Sequence, residues 1–141
     1  MDSFHFLLNL ERTLYKKGIL CRFFSKLLYR FLRVYYCCDI PPSVKCDNVY
    51  FCHTGFGILL NKCSIIGEGS KIQHGVTIGE INGNVPVIGK NCFVGAKATI
   101  LGGVIIGDNC KIGAGSLVIK DIPSGCTAVG VPAHIINNKN D

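Results

Sequence analysis

The chain has 141 residues, nine cysteines, no tryptophan and a net charge of +6. That length suits one small domain with an appended segment. Residues 1–36 hold seven Lys or Arg against two acidic residues, a net charge of +5, which leaves +1 for the remainder. Because the positive charge is confined to one end and no basic motif with interleaved aromatics follows, the composition argues against a nucleic-acid-binding protein.

Two helices are predicted within residues 1–36. Apolar residues recur at helical spacing between positions 20 and 35, with basic residues along another face, and Gly18 separates this helix from a shorter one near 3–16. We expect this helix to pack on the solenoid end or on a neighbouring subunit. A basic amphipathic helix with aromatics can also lie on an anionic membrane surface, so peripheral membrane contact is the alternative. Charges interrupt both helices, so neither is expected to cross a membrane. The apolar positions of the second helix are Leu20, Phe23, Phe24, Leu27, Phe31, Val34 and Tyr35.

The architecture is expected to change at the junction that contains Pro41 and Pro42. Sixteen of the 17 glycines lie after residue 50, and paired prolines are typical of a break. We therefore divide the chain into a basic amphipathic helical segment (1–37), a repeat domain (38–136) and a short tail (137–141). No signal-peptide pattern and no C-x-x-C pair is present, so we expect reduced thiols and a cytoplasmic protein, at the inner face of the membrane if the helix binds lipid.

A six-residue repeat begins at Leu60. An aliphatic residue returns at every sixth position, usually followed by glycine, and a small residue lies four positions later. One large and one small inward position per six residues fit a narrow prism with three flat faces, so we predict a mainly β, parallel solenoid of a little over three coils. Glycine is expected where the chain turns sharply at a corner. The large positions are Leu60, Ile66, Ile72, Ile78, Ile88, Val94, Ile100, Ile106, Ile112 and Val118.

The repeat skips once, because Ile78 and Ile88 are ten residues apart instead of six. Four extra residues therefore loop out within 80–87, and the loop has to project from a corner because the register is kept on both sides. Such insertions commonly build the binding face of a solenoid. Asn82 and Asn84 make this loop our first candidate for part of a binding site.

His53 is the strongest candidate for chemistry among the four histidines. It lies at the entrance to the solenoid, in a segment rich in glycine and polar atoms. A histidine that titrates near neutral pH is the usual general base for a hydroxyl group, provided that a carboxylate orients it. Asp39, 14 residues earlier, is the candidate partner because one coil returns the chain over itself.

Four segments resemble the serine acetyltransferase group of left-handed β-helix acyltransferases. They are Cys38–Ser43 (CDIPPS), His53–Gly55 (HTG), Ile72–Gly79 (IQHGVTIG) and Gly130–Ala133 (GVPA). The resemblance covers residues 38–136 and implies a left-handed coil, although ordinary parallel crossovers are right-handed. It also implies transfer of an acetyl group from acetyl-CoA to an acceptor hydroxyl, in a homotrimer whose sites lie between adjacent prisms.

The resemblance further implies roles for individual residues. His53 aligns with the catalytic histidine and Asp39 with the aspartate that pairs with it. We expect His74 to line the acceptor side of the cleft, with a solvent-facing position as the alternative. Acetyl-CoA serves as cosubstrate, and thioester chemistry needs no metal. The acetyl-CoA groove is expected along the later coils, where Lys120 is expected to lie nearest the CoA phosphates. The residues expected to bind acetyl-CoA are Gly79, Gly95, Ala96, Lys97, Gly113, Ala114, Lys120, Gly130 and Pro132.

Departures from the family pattern bear on the acceptor. The family has a long helical N-terminal domain, whereas only residues 1–36 precede the junction in this chain. The family has an aspartate immediately before the catalytic histidine, where this chain has Cys52. In the inserted loop the family has Arg-His-Pro, where this chain has Asn84-Val85-Pro86. These losses remove the charged partners of a zwitterionic amino acid. We therefore expect a glycan or sugar acceptor, as in surface-polysaccharide synthesis, with serine O-acetylation in cysteine biosynthesis as the alternative.

Two other interpretations stay open. In the first, His74 is the base instead of His53, or the two histidines bind a metal; such a site needs a third histidine nearby, whereas His134 lies in the terminal segment. In the second interpretation the chain is a non-catalytic trimeric scaffold, and the presence of Cys52 in place of an aspartate is consistent with a lost catalytic site. A three-coil prism buries little apolar area alone, so we expect a trimer in either case, with the helices of residues 1–36 pairing trimers further.

Overall fold

The computed structural model describes residues 3–138 and confirms both predicted helices. Helix α1 spans Ser3–Lys16 and α2 spans Ile19–Tyr35. Gly18 joins them at a φ of 121°, a conformation that favours glycine. The two helices pack together as a hairpin against the first coil of the repeat domain. Neither is long and apolar enough to cross a membrane.

Short strands form three parallel sheets that wrap into a prism. The first sheet has the order β1-β4-β7-β10-β12, with β13 added antiparallel at its end; the second has the order β2-β5-β8-β11, and the third β3-β6-β9. This arrangement is the solenoid that the repeat predicts. The strands are β1 (Tyr50–Phe51), β2 (Leu59–Leu60), β3 (Ile65–Ile66), β4 (Lys71–Ile72), β5 (Thr77–Gly79), β6 (Val87–Ile88), β7 (Phe93–Val94), β8 (Thr99–Leu101), β9 (Ile105–Ile106), β10 (Lys111–Ile112), β11 (Leu117–Val118), β12 (Cys126–Gly130) and β13 (Ala133–Asn138).

The solenoid begins one coil earlier than the regular repeat. Asp39 pairs in parallel with Leu59, and Lys45 with Ile65, so residues 39–51 form an additional first coil and the total is about four coils. The six-residue spacing misses this coil because its length is irregular: Ile40 and Leu60, which occupy equivalent buried positions, are 20 residues apart. At the other end, β13 extends to Asn138, so two residues of the predicted tail continue a strand.

The prism core consists of the predicted large and small positions. Ile72, Ile100 and Ile112 are fully buried, and the thiols of Cys92 and Cys110 fill small positions as predicted. A buried, unpaired thiol behaves there as a small hydrophobic group. The inward pattern therefore gives a continuous core from the first coil to the last.

Glycine follows the large residue for a different reason from the one predicted. Gly67 and Gly95 have no positive φ; instead, a Cβ at Gly67 would lie 2.5 Å from the carbonyl carbon of Gly89, and one at Gly95 would lie 2.6 Å from the amide nitrogen of Ala114. The next coil thus approaches too closely for any side chain. The sharp turns fall on other residues, such as Asn91 and Asn109, whose φ angles are 53° and 59°.

Two corners of the prism carry the candidate site residues. The first corner, between the first and second sheets, consists of residues 53–57, 73–76, 95–98, 113–116 and 130–132 on successive coils. The second corner, between the second and third sheets, consists of residues 61–64, 79–86, 101–104 and 119–121. Backbone hydrogen bonds hold each corner in register from coil to coil, for example from the Lys97 N–H to the His74 carbonyl (3.0 Å) and from the Gly102 N–H to the Gly79 carbonyl (3.0 Å).

Candidate active site

His53 begins a left-handed turn at the top of the first corner. Its φ is 53°, and Thr54 and Gly55 follow at 55° and 66°. Such a conformation is unfavourable for residues with a side chain, above all for the β-branched Thr54, and persists only where the surroundings enforce it. Here Phe4 of α1 lies over the turn, because a Cβ at Gly55 would approach the Phe4 ring to 2.4 Å. The turn leaves the His53 side chain exposed.

The imidazole of His74 lies directly below that of His53, on the next coil. Their ring centroids are 5.0 Å apart and their planes are nearly perpendicular. The His74 Nδ1 atom is buried and has no hydrogen-bond partner among residues 3–138. Buried polar atoms are rarely left unpaired in native proteins, and where they are, a ligand or functional role is one common reason. The two histidines therefore form one cluster at the head of the first corner.

Cys52 precedes His53 and contacts the neighbouring coil. The Gln73 side-chain amide donates to the Cys52 Sγ at 3.1 Å. Burial raises the pKa of the Cys52 thiol, and the positive charge of Lys71 only partly offsets that effect. The thiol is therefore neutral at physiological pH, so no negative charge stands beside His53 at this position.

Asp39 lies on the strand adjacent to the His53 turn. The Gly57 N–H donates to the Cys37 carbonyl (3.1 Å), and the Leu60 N–H donates to the Asp39 carbonyl (2.8 Å), which places the two segments side by side. The carboxylate itself accepts a hydrogen bond from the Tyr29 hydroxyl and lies 3.4 Å from an Arg33 guanidinium nitrogen.

Helix α2 therefore contacts both oxygens of the Asp39 carboxylate. Burial, together with the hydrogen bond to Asp39, raises the pKa of Tyr29 to about 12, so its hydroxyl remains a donor. Within residues 3–138 no hydrogen bond joins Asp39 to His53. The pairing of these two residues stays a prediction, which rests on the neighbouring positions of their backbones.

The first corner below the histidines is a continuous edge of small residues. The chain passes Gly95–Lys97, Gly113–Gly115 and Gly130–Pro132 here, directly under His53 and His74. The edge is open as well as narrow, since a Cβ at Gly115 would meet nothing within 4 Å. These residues are most of those predicted to bind acetyl-CoA, and the structure brings them together with the candidate base.

The inserted loop is a tight hairpin on the second corner. Ile81 and Asn84 exchange two backbone hydrogen bonds of 3.0 Å, and Asn82 and Gly83 between them have φ angles of 52° and 80°. An Asn-Gly pair with positive φ is the favoured two-residue hairpin turn. The hairpin packs beside Leu101–Val104, as predicted for an insertion that projects from a corner.

A groove of about 570 Å³ lies beside this hairpin, and two of the residues predicted to bind acetyl-CoA lie at this corner, away from the others. Its lining includes Asn82, Asn84 and Lys120, and Gly79 begins the same corner. Lys120 and Gly79 are thus placed with the candidate acceptor residues and not with Gly95 and Gly113. Strand β5 of the second sheet separates His74 from Gly79 along the chain, so the two groups of residues lie on different corners of the prism.

The described residues contain no group of three or more His, Cys, Asp or Glu side chains that could hold a metal ion. His134 lies on β13, where its ring is close to Gly130, and it does not join the pair of His53 and His74. Within residues 3–138 the two histidines therefore lack the third ligand that the metal alternative requires.

Four site residues were missed by sequence reasoning. Phe4 holds the His53 turn, Tyr29 and Arg33 hold Asp39, and Gln73 holds Cys52. The spacing of four between Tyr29 and Arg33 places both on one helix face, which was the only available signal. The others depend on how α1 and neighbouring coils are placed, which periodicity does not report.

Comparison with known proteins gives a consistent result. Residues 86–120 match the family model described as bacterial transferase hexapeptide (six repeats). Serine acetyltransferase 2 of Arabidopsis thaliana is 38% identical over 102 residues, 70% of this chain and 32% of that protein. The serine acetyltransferase of Synechocystis sp. is 37% identical over 131 residues, 90% of this chain and 52% of that protein.

Solved structures of serine acetyltransferases have the same fold as this chain. The Neisseria gonorrhoeae serine acetyltransferase, crystallised with serine, superimposes with a TM-score of 0.83 at 30% identity, over 95% of this chain and 55% of that one. The chain is thus similar to serine acetyltransferases in both sequence and fold. The Brucella abortus enzyme in complex with coenzyme A has a TM-score of 0.83 at 29% identity, over 95% of this chain and 54% of that one.

These comparisons confirm the serine acetyltransferase-like left-handed β-helix. They give no support to a glycan acceptor, because the named relatives are serine acetyltransferases. The chain spans roughly a third to a little over half of the length of the curated relatives that it matches.

Proposed function

We propose that the protein is an acetyl-CoA-dependent O-acetyltransferase in which His53 is the general base. The observation that carries the proposal is the position of His53: a strained turn presents it, in contact with His74, at the head of an edge built from small residues. An exposed imidazole beside a narrow edge is suited to removing a proton from a hydroxyl group bound there. The relatives with coenzyme A and serine bound support the same chemistry.

The residues of the first corner fit a pantetheine arm. Gly115 and Ala114 are exposed and carry little or no side chain, and Gly113 beside them is half-buried, so an extended ligand can approach closely and hydrogen-bond to the main chain. Lys97, on the same corner, is exposed and offers a positive charge for the CoA phosphates. Acetyl-CoA supplies an activated acetyl group as a thioester.

In the proposed step, His53 takes the proton of the acceptor hydroxyl as the oxygen forms a bond to the acetyl carbon. The carbon–sulfur bond breaks, and the leaving CoA thiolate takes the proton from the His53 imidazolium, which regenerates the neutral base. His74 is placed to contact the acceptor or the ring of His53. For Asp39 to stabilise the imidazolium, its carboxylate has to turn from Arg33 towards His53, and the adjacent backbones make this a local movement.

We propose a homotrimer because one chain carries two half-sites on different corners. His53, His74 and the small-residue edge occupy the first corner, and the Asn82–Asn84 hairpin with Lys120 occupies the second. A heterologous contact joins two different patches and closes into a ring when the rotation allows. A threefold ring would set the second corner of each prism against the first corner of the next and would complete three sites.

This arrangement is tested by mixing two inactive variants. His53→Ala removes the base, and replacement of Asn82 and Asn84 by Asp disables the hairpin side. In randomly mixed trimers about a quarter of the sites combine an intact first corner with an intact second corner, so about a quarter of the wild-type activity should return. No recovery after verified subunit exchange would contradict sites shared between chains.

Serine is the first acceptor to test, because the relatives are serine acetyltransferases. A sugar hydroxyl is the second candidate, and a specific observation favours it. The thiol of Cys52 beside His53 stays neutral, and the exposed hairpin offers the amides of Asn82 and Asn84 instead of charged groups. An uncharged acceptor needs hydrogen-bonding groups of this kind, whereas the ammonium and carboxylate of serine gain most from charged partners.

The deciding experiment is acetyl-CoA turnover, measured by thiol release, with L-serine, other hydroxy amino acids, nucleotide sugars and simple oligosaccharides. A protein-only blank is needed because the chain has nine cysteines. Saturable turnover with serine supports the first acceptor, and turnover with a sugar alone supports the second. Absence of turnover together with absence of CoA binding would overturn the proposed activity in favour of a non-catalytic scaffold.

A further inference from the structure

Helix α2 presents its apolar stripe on the side away from the prism. The helix packs on α1 and the first coil through Leu32, which is 2% exposed, and through buried Ser25. The stripe that the spacing predicts lies on the opposite face: Ile19 is 90% exposed and Leu27 is 60% exposed. The exposed apolar residues of α2 are Ile19, Leu20, Phe23, Phe24, Leu27, Phe31, Val34 and Tyr35.

This surface is too large to be an ordinary feature of a monomer in water. Eight large apolar side chains, each about half exposed or more, present on the order of 1,000 Å² together, whereas the largest apolar patch on a typical soluble monomer is about half that area. The residues occupy one continuous side of a single helix, so the patch is flat and about 25 Å long for 17 residues.

One edge of the stripe is entirely basic. Arg22, Lys26, Arg30 and Arg33 follow each other along α2 at spacings of three or four, and the helix contains no acidic residue. Lys26 and Arg30 are exposed, and within residues 3–138 neither makes an ion pair or a side-chain hydrogen bond. Lys17, just before the start of α2, is exposed and extends the same charge, whereas Lys16 lies 4.0 Å from the Asp47 carboxylate.

Cations and apolar groups share grooves along this edge. One groove of about 410 Å³ has Phe23 and Leu27 beside Lys26, Arg30 and Arg33. A second, of about 490 Å³, continues past Phe23 towards the start of the helix, and its lining includes Tyr15, Ile19 and Arg22. In each groove, apolar side chains that can contact hydrocarbon lie next to positively charged side chains.

We infer that α2 docks the protein on an anionic phospholipid membrane, with the helix axis parallel to the surface. Phenylalanine and leucine would enter the boundary between head groups and acyl chains, while the basic edge would meet lipid phosphates. A second copy of the chain is a poorer occupant, because it brings the same cations and no acidic side chain from α2. The helix lies on the bilayer and does not cross it.

This placement also orients the candidate site. The prism stands on the side of α2 opposite the apolar stripe, with its first coil nearest the helices. Because Phe4 of α1 contacts Gly55, the His53 turn belongs to the membrane-proximal end of the prism. The inference does not depend on the proposed acetyl transfer, and its test uses lipid binding alone.

The test begins with a fluorescent reporter in the full chain. The sequence has no tryptophan, so Phe23→Trp gives a single probe in the stripe and Phe93→Trp gives a matched probe on a prism strand. Vesicles of phosphatidylglycerol and phosphatidylcholine should shift the emission of the first to shorter wavelength and leave the second unchanged. Vesicles of phosphatidylcholine alone should give at least tenfold weaker binding.

Substitutions then separate the apolar and electrostatic contributions. Phe23→Gln with Leu27→Gln should weaken vesicle sedimentation at least tenfold, and Lys26→Gln with Arg30→Gln should weaken it about fivefold per cation at low salt. Lys45→Gln with Lys62→Gln, two exposed lysines on the prism, should have no effect. Failure of the folded wild-type chain to bind anionic vesicles would overturn the inference. So would stripe variants that dissociate an oligomer while vesicle binding is unchanged, since the stripe would then be a protein interface.

Discussion

The prism and the helical pair use the same kinds of apolar residue in opposite ways. Every sixth residue of the repeat points a leucine, isoleucine or valine into a core that the chain closes by itself. Helix α2 instead turns phenylalanine and leucine outward and packs through Ser25 and Leu32. The prism core is thus closed within one chain, whereas the helical pair leaves a large apolar surface exposed.

The largest effect is expected where the two regions meet, at the His53 turn beneath Phe4. His53→Ala should lower kcat for acetyl transfer by about 10²- to 10⁴-fold, the usual contribution of a general base. Binding of CoA, measured by calorimetry, should be kept because the small-residue edge is untouched. His134→Ala, on β13, is the matched control and should retain activity. A near-normal kcat in His53→Ala would mean that His74 or another group is the general base.

A matched pair of truncations tests the contrast in packing directly. Ile100→Ala removes a fully buried side chain from the prism and should lower the free energy of unfolding by about 2–5 kcal/mol. Leu27→Ala removes a mostly exposed side chain from α2 and should change it by less than about 0.5 kcal/mol. Urea unfolding followed by circular dichroism measures both. Equal losses would mean that α2 is covered in solution by another part of the assembly.

Glu11 predicts a pH dependence that belongs to the helical pair alone. Its side chain is buried between α1 and α2, with one oxygen accepting from Ser25 (3.2 Å) and the other unpartnered among residues 3–138. Burial raises the pKa of this carboxyl from 4.5 to about 7.

The folded chain therefore keeps a proton that the unfolded chain releases above pH 4.5. The stabilisation by this group is complete below pH 4.5 and is lost as the pH rises to about 7. Glu11→Gln should remove this loss, which we expect to be on the order of 2 kcal/mol after allowance for screening. The measurement is the difference in unfolding free energy between variant and wild type across pH 4.5–8. A pH-independent difference would show that Glu11 does not hold the proton.

A pair of glycines isolates the contact between the two regions through a difference of only about 1 kcal/mol. Gly55 and Gly115 have nearly the same φ, 66° and 67°, but a Cβ at Gly55 would meet the Phe4 ring and one at Gly115 would meet nothing. Gly115→Ala should therefore cost about 1 kcal/mol of backbone strain, and Gly55→Ala about 1 kcal/mol more, with a loss of activity. Thermal unfolding and acetyl transfer report the two effects. If both variants behave alike, Phe4 does not hold the turn.

Periodic features were predictable because they are local. The alternation of large and small residues from Leu60 to Val118 specifies inward positions without knowledge of anything distant, and the Asn82-Gly83 pair specifies a hairpin turn. The first coil was not visible in the same way, since its 20-residue spacing from Ile40 to Leu60 departs from the repeat. Even within the repeat, the glycines serve close stacking of coils and not the turns.

The sequence by itself determined the solenoid, the two helices with their division at Gly18, and the candidates His53, His74 and Asp39. Only the tertiary structure decided which of these residues meet: His53 lies on His74, Asp39 is held by α2, and Lys120 lies on a different corner from Gly95. It also decided that the apolar side of α2 faces outward. The physical reason is that periodicity reports which side of an element is apolar, whereas the partner of that side depends on contacts between residues far apart in the chain.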